Sequence, residues 1–107
     1  MDDHEFRTRA DAALDDLARR LAAAGDEHGF ESDFNAGALT IEFDEPPAKF
    51  VVSTNAPVKQ IWVSAHFRSF KLDWDPAKGA FVTPNGQTLT EMISDAVSQQ
   101  MGESVTL

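Results

Sequence analysis

The side chains in this chain that could do chemistry are carboxylates. Eighteen of its 107 residues are Asp or Glu, three are His, and none is Cys. Glu31 and Asp33 stand two apart in an alternating stretch, and Asp11 and Asp15 stand four apart in a helical one. Either spacing brings two carboxylates within roughly 6 to 7 Å. Oxygen ligands suit hard cations such as Ca²⁺, Mn²⁺ and ferrous or ferric iron, not Cu(I). There is no EF-hand spacing, no His-Glu helix motif and no His-rich facial set, so no closed cage can be built. Any binding should be shallow, multiple and weak. The competing reading is a solvated surface that repels itself by ~0.7 kcal/mol per pair at 6 Å in bulk water. Such a surface weakens the fold, which leaves its accumulation in one region to be explained.

The accumulation is marked. Residues 1–45 hold thirteen acidic side chains against Arg7, Arg9, Arg19 and Arg20, which accounts for the whole net charge of -9. From Pro46 onward the charges balance. Nucleic acid is excluded as a partner, because phosphate contacts need clustered Lys and Arg. Cations or a basic protein surface fit the field instead. The lack of cysteine removes disulfides, thiolate metal sites and thiol nucleophiles. His4, His28 and His66 are each far in sequence from a plausible nucleophile and read as surface histidines, and no phosphate loop or dinucleotide fingerprint is present. The start of the chain is charged from its second residue and no apolar run approaches ~18 residues. A soluble cytoplasmic protein with no presequence and no membrane contact is expected.

The carboxylates are positioned by elements that the pattern defines. Phe6, Ala10, Leu14, Leu17 and Leu21 form one apolar stripe, which predicts a helix over 3–23 ended by Gly25. Phe30 to Phe34 alternates with both phenylalanines on one face and Glu31 and Asp33 on the other. Asn35-Ala36-Gly37 has hairpin chemistry, and Ala38 to Phe43 returns with Leu39, Ile41 and Phe43 inward. Glu45-Pro46-Pro47 closes that strand, and Lys49 to Ser53 is the next. Pro57 should start the fourth strand, whose body is Gln60 to Ala65. Arg68 to Trp74 and Ala80 to Thr83 complete the set. Thr88 and Glu91 make a capping box for a second helix carrying Leu89, Met92, Ile93, Ala96 and Val97. Gly102 stops it, and Val105 or Leu107 can dock on the helices.

With Ile61 and Val63 turned to the interior, Gln60, Trp62 and Ser64 face outward. A tryptophan held between polar neighbours on a rigid strand contributes little to folding and marks a contact surface, unless a loop or neighbouring side chain covers it. The economical architecture is α+β. It is a two-layer α/β sandwich of one domain, residues 1–107, with both helices on one face of a roughly six-stranded antiparallel sheet. A core of this size buries roughly 65% of the unfolded chain's surface.

The order helix, acidic hairpin, Pro57-Val58-Lys59-Gln60-Ile61-Trp62-Val63-Ser64, Leu72-Asp73-Trp74, Asn85-Gly86-Gln87-Thr88-Leu89 and Gln99-Gln100-Met101-Gly102-Glu103 resembles the frataxin family, its bacterial branch above all. The similarity spans essentially the whole chain. It implies a frataxin-like sandwich that binds iron, Fe²⁺ or Fe³⁺, weakly at its surface and acts as iron donor or regulator in iron-sulfur cluster assembly. The partners it implies are cysteine desulfurase and the iron-sulfur scaffold machinery. The metal ridge would comprise Asp3, Asp11, Asp15, Asp16, Asp26, Glu27, Glu31 and Asp33, and the protein contact would include Gln60, Trp62 and Ser64. Two departures stand out. Ala22-Ala23-Ala24 after Arg19-Arg20 replaces a stretch that is acidic in many relatives, implying fewer or weaker sites, and Ser53 stands where relatives often carry asparagine.

Three readings stay open at this point. The first is an iron-responsive adaptor. The second is a protein-binding module whose acidity steers association, with iron incidental. The third is a weak ferroxidase, for which no pre-formed centre can be read. No other enzymatic activity is expected. A monomer is expected, with an iron-induced oligomer as the alternative state.

Overall fold

The computed structural model describes residues 1–35, 37–66 and 68–107. Helix α1 spans Asp3–His28, and the Asp2 carboxylate caps it by accepting from the Glu5 N–H at 2.7 Å. Its stripe of Phe6, Ala10, Leu14, Leu17 and Leu21 is fully buried, each larger side chain contributing ~1.5–3 kcal/mol by leaving water. The helix does not stop at Gly25. It continues to Gly29, whose φ of 89° gives the left-handed cap, with its N–H donating to the Gly25 carbonyl. Gly25 is buried inside the last turns because a Cβ there would sit 2.5 Å from the Phe30 carbonyl oxygen. The glycine lets the chain fold back closely; it does not break the helix.

Among the described residues six strands follow in sequence order: β1 (Glu31–Asn35), β2 (Ala38–Asp44), β3 (Pro47–Asn55), β4 (Gln60–Ala65), β5 (Arg68–Asp75) and β6 (Ala80–Val82). Each pairs antiparallel with the next in one sheet. Of the expected hairpin Asn35-Ala36-Gly37, Ala36 lies outside the described residues, while Gly37 takes a φ of 78°. Pro57 does not begin β4. It lies in a 3-10 turn over Ala56–Val58, and Lys59 at φ 53° redirects the chain into the strand. Proline's fixed φ suits that turn as well as it suits a strand start.

Helix α2 (Leu89–Met101) opens on the full Thr88/Glu91 capping box and ends at Gly102. The core joins the stripes of both helices to Leu39, Ile41, Phe50, Val52, Ile61, Val63 and Leu72 of the sheet. Helices therefore cover one face of the sheet and leave the other to solvent. The tail docks as the sequence allows: Val105 is buried, its N–H and C=O both bonded to Ser98 Oγ, and the Leu107 N–H donates to Ser94 Oγ. Phe34 departs from the simple alternation. It shares the helix-side face with Leu39 but remains 38% exposed, because among the described residues no strand lies beyond β1 in the sheet.

Candidate functional site

Side chains opposed across an antiparallel ladder share a face. The registers therefore place three rows on the uncovered face of the sheet. One runs Glu31, Glu42, Lys49; the next Asp33, Thr40, Val51, Ser64, Ser69; the third Asn35, Ala38, Ser53, Trp62, Lys71. With strands about 4.8 Å apart, Trp62 stands three strands, or about 14 Å, from β1. The β-strand carboxylates and the indole thus belong to one continuous surface, anionic at the β1–β2 margin and carrying Lys71 beside the indole.

Trp62 is held there and not left loose. Its Nε1–H donates to Gln60 Oε1 at 3.0 Å, and Gln60 Nε2 donates to Asp73 Oδ1 at 3.1 Å. The Lys71 ammonium lies 5.1 Å from the ring centroid, a cation–π distance that helps to fix the indole plane. The ring is 38% exposed. Beside it Ser53, Ser64, Ser69 and Val51 line a depression of about 260 Å³. Ser53 is the residue directly opposite Trp62, so the small serine leaves room at the edge of the ring.

The α1 carboxylates divide between two sides of the helix. Asp11 and Asp15 fall on the stripe that continues at helical spacing through Ala22 to Asp26. Asp26 lines a hollow together with Glu31 and Asp33, so these three are brought to one place. Asp16 lies elsewhere, in a cavity of about 420 Å³ between the helices that includes Arg9, Trp74, Phe81 and Thr88. Several members of the expected ridge carry cations already. Asp3 meets Lys59 Nζ at 3.3 Å, Asp15 meets Arg19 at 2.7 Å and Asp16 meets Arg20 at 2.8 Å. Glu27 approaches His28 Nε2 at 3.9 Å. Among the described residues no group of three His, Asp or Glu side chains converges as a metal cage.

Sequence reasoning missed Glu42, Lys71 and Asp73. Glu42 faces Glu31 because β1 and β2 are separated by two residues, which fixes the register. The same spacing between Ala65 and Arg68 sets Lys71 opposite Trp62. Loop length was the available signal in both cases. Two of the three histidines make tertiary contacts. His28 Nδ1 lies 3.0 Å from Glu103 Oε1 and joins the end of α1 to the tail, and the His66 ring packs edgewise on Phe50.

Comparison with known proteins gives a consistent answer. The Frataxin-like domain model matches residues 1–103. The iron-sulfur cluster assembly protein CyaY of Paraburkholderia phymatum is 34% identical over 100% of this chain and 98% of its own length. That of Cupriavidus metallidurans is 30% identical over 100% and 96%. Frataxin from Psychromonas ingrahamii, studied within the CyaY protein family, superposes with a TM-score of 0.77 at 25% identity, covering 99% of this chain and 97% of that one. Taken with the two helices on a six-stranded antiparallel sheet, these matches show that the chain belongs to the frataxin family, as a bacterial CyaY-like member.

Proposed function

We propose that this protein is an iron-responsive adaptor in iron-sulfur cluster assembly that docks on cysteine desulfurase. The names carried by its relatives support the process. The observation that carries the rest is the single solvent-facing sheet surface on which Glu31, Asp33 and Glu42 lie a few strands from a fixed, exposed Trp62. Folding requires neither feature. Like charges opposed across a ladder oppose it, and an indole outside the core adds little.

In this reading Asp11, Asp15, Asp26, Glu31 and Asp33 hold iron loosely as cargo and meet a basic patch on the desulfurase. Gln60, Trp62 and Ser64 meet the scaffold side of the complex. No turnover is assigned to the protein itself. The test is a pull-down with cysteine desulfurase, with and without ferrous iron, using the combined Asp11→Asn, Asp15→Asn, Glu31→Gln and Asp33→Asn variant. Loss of binding with an unchanged circular dichroism spectrum is expected; full retention overturns the proposal.

A second reading is favoured by the ion pairs of Asp3, Asp15 and Asp16, which occupy carboxylates otherwise free for metal. There the acidity only steers association, and iron is incidental. Ferrous titration separates the two. Iron held as cargo saturates and raises the melting temperature, because a ligand that binds only the folded state stabilises it. Steering alone leaves the melting temperature unchanged.

A further inference from the structure

Strand β1 is an open margin of the sheet. Its residues Glu31–Asn35 pair with β2 on one side, and no strand pairs with the other side among the described residues. Such a margin presents a row of backbone N–H and C=O groups that a second extended chain can complete. The opposite margin, β6, is only 3 residues long and is bridged through Val82 to Thr88. β1 is thus the better template.

The two faces beside β1 make different demands on an added strand. On the solvent face stand Glu31 and Asp33, with Glu42 behind Glu31. Every second residue of an incoming strand would lie beside these carboxylates. On the helix side Phe34 is 38% exposed and Ala22 is open to solvent, while the hollow at this margin is shared by Asp26, Glu31 and Asp33 with Ala22 and Ser32. The alternate residues would lie beside Phe34 and Ala22. A matching strand therefore alternates cationic and apolar side chains.

The same charges say what cannot add. A second copy of β1 would bring Glu31 and Asp33 against their own counterparts, and like charges across a ladder repel. The margin is closed to self-pairing and open to a cationic strand, which is specificity by exclusion. We propose that the β1 margin binds an extended segment of a partner protein, alternating in cationic and apolar residues, by strand addition. This rests on the reading that the acidic flank meets a basic protein surface; it adds that the contact is a backbone ladder and not a meeting of charges alone.

The probe is a capped peptide of about seven residues, the length of an ordinary strand, in which Lys and Val alternate. Its control has the same composition with the lysines and valines in two blocks. Binding is measured at about 150 mM salt, where exposed charges beyond ~8 Å are screened, with amide hydrogen exchange read by NMR. The alternating peptide is expected to bind at least about tenfold more tightly, a difference of about 1.4 kcal/mol, and to slow exchange within Ser32–Asn35. Equal binding of the two peptides, or unchanged exchange in β1, overturns the inference. So does a β1-to-β1 dimer of the free protein in sedimentation. Desulfurase binding is measured alongside. If the desulfurase binds and the peptide does not protect β1, strand addition falls and the adaptor reading stands; protection without desulfurase binding gives the reverse.

Discussion

Glu31 of β1 stands directly across the ladder from Glu42 of β2, with Lys49 the next residue along the same row. Opposed like charges cost a few tenths to about 1 kcal/mol. Glu31→Gln, which removes the repulsion and leaves Glu42 opposite Lys49, should therefore raise the unfolding free energy by about 0.3–1 kcal/mol while weakening ferrous iron and desulfurase binding. Urea denaturation and titration of the same preparation check both halves. A gain in stability with no loss in binding would remove this corner from the functional surface.

Trp62 should behave as a contact residue and not as core. Its replacement in Trp62→Ala leaves Ile61 and Val63, which are fully or almost fully buried, in place. The expected cost is below about 1 kcal/mol, in the range of surface substitutions, with at least a tenfold loss of affinity for the assembly complex. Trp62→Phe keeps a ring but loses the Nε1–H bond to Gln60, and should lie between. Thermal unfolding and a binding assay on both variants measure the split.

Gly25→Ala should destabilise, against the usual sign. In an ordinary helix the change gains up to ~1 kcal/mol. Here the added Cβ would lie 2.5 Å from the Phe30 carbonyl oxygen, a backbone atom that cannot swing away. A net loss of about 1–3 kcal/mol in urea denaturation is expected, as for other overpacked sites. Because α1 and β1 meet there, Asp26 and Glu31 should also move apart, and iron affinity should fall.

The acid limb of stability should depend on Glu91. Its carboxylate accepts from the Thr88 backbone N–H at 3.2 Å, and the Glu91 N–H donates to Thr88 Oγ. The backbone bond from Thr88, then the Thr88 side chain, and last the charge of Lys78 hold its pKa below the usual 4.5, against a small opposing effect of burial. A carboxyl more acidic in the folded state stabilises fully above its unfolded pKa. That contribution is lost as pH falls from 4.5 through the lowered folded value. Glu91→Gln keeps an acceptor but cannot titrate, so its urea midpoint should fall less steeply across that window than that of the parent protein.

The elements and their inward faces were legible because they follow from local periodicity. The stripe from Phe6 to Leu21, the alternation around Ile61 and the Thr88/Glu91 box each involve residues within a few positions of one another. Gly25 and Pro57 misled for the same reason. Each has two permitted local roles, and only the approach of Phe30 and the turn into Lys59 decide between them. The acidic flank was visible as composition, but not its division. Asp16 and Asp26 lie ten positions apart on one helix, and what each faces depends on which neighbours pack against α1.

What the sequence determined by itself is a chain with two helices, six strands, an anionic first half and a tryptophan that points away from the core. Those properties reside in residue type and in periods of two and 3.6. The tertiary structure alone decided that Glu31 faces Glu42, that Gln60 ties Trp62 to Asp73, and that carboxylates and indole share one surface ending at a free strand. Ladder register and strand order bring these residues together across loops and between strands, and packing of the whole sheet against two helices selects them.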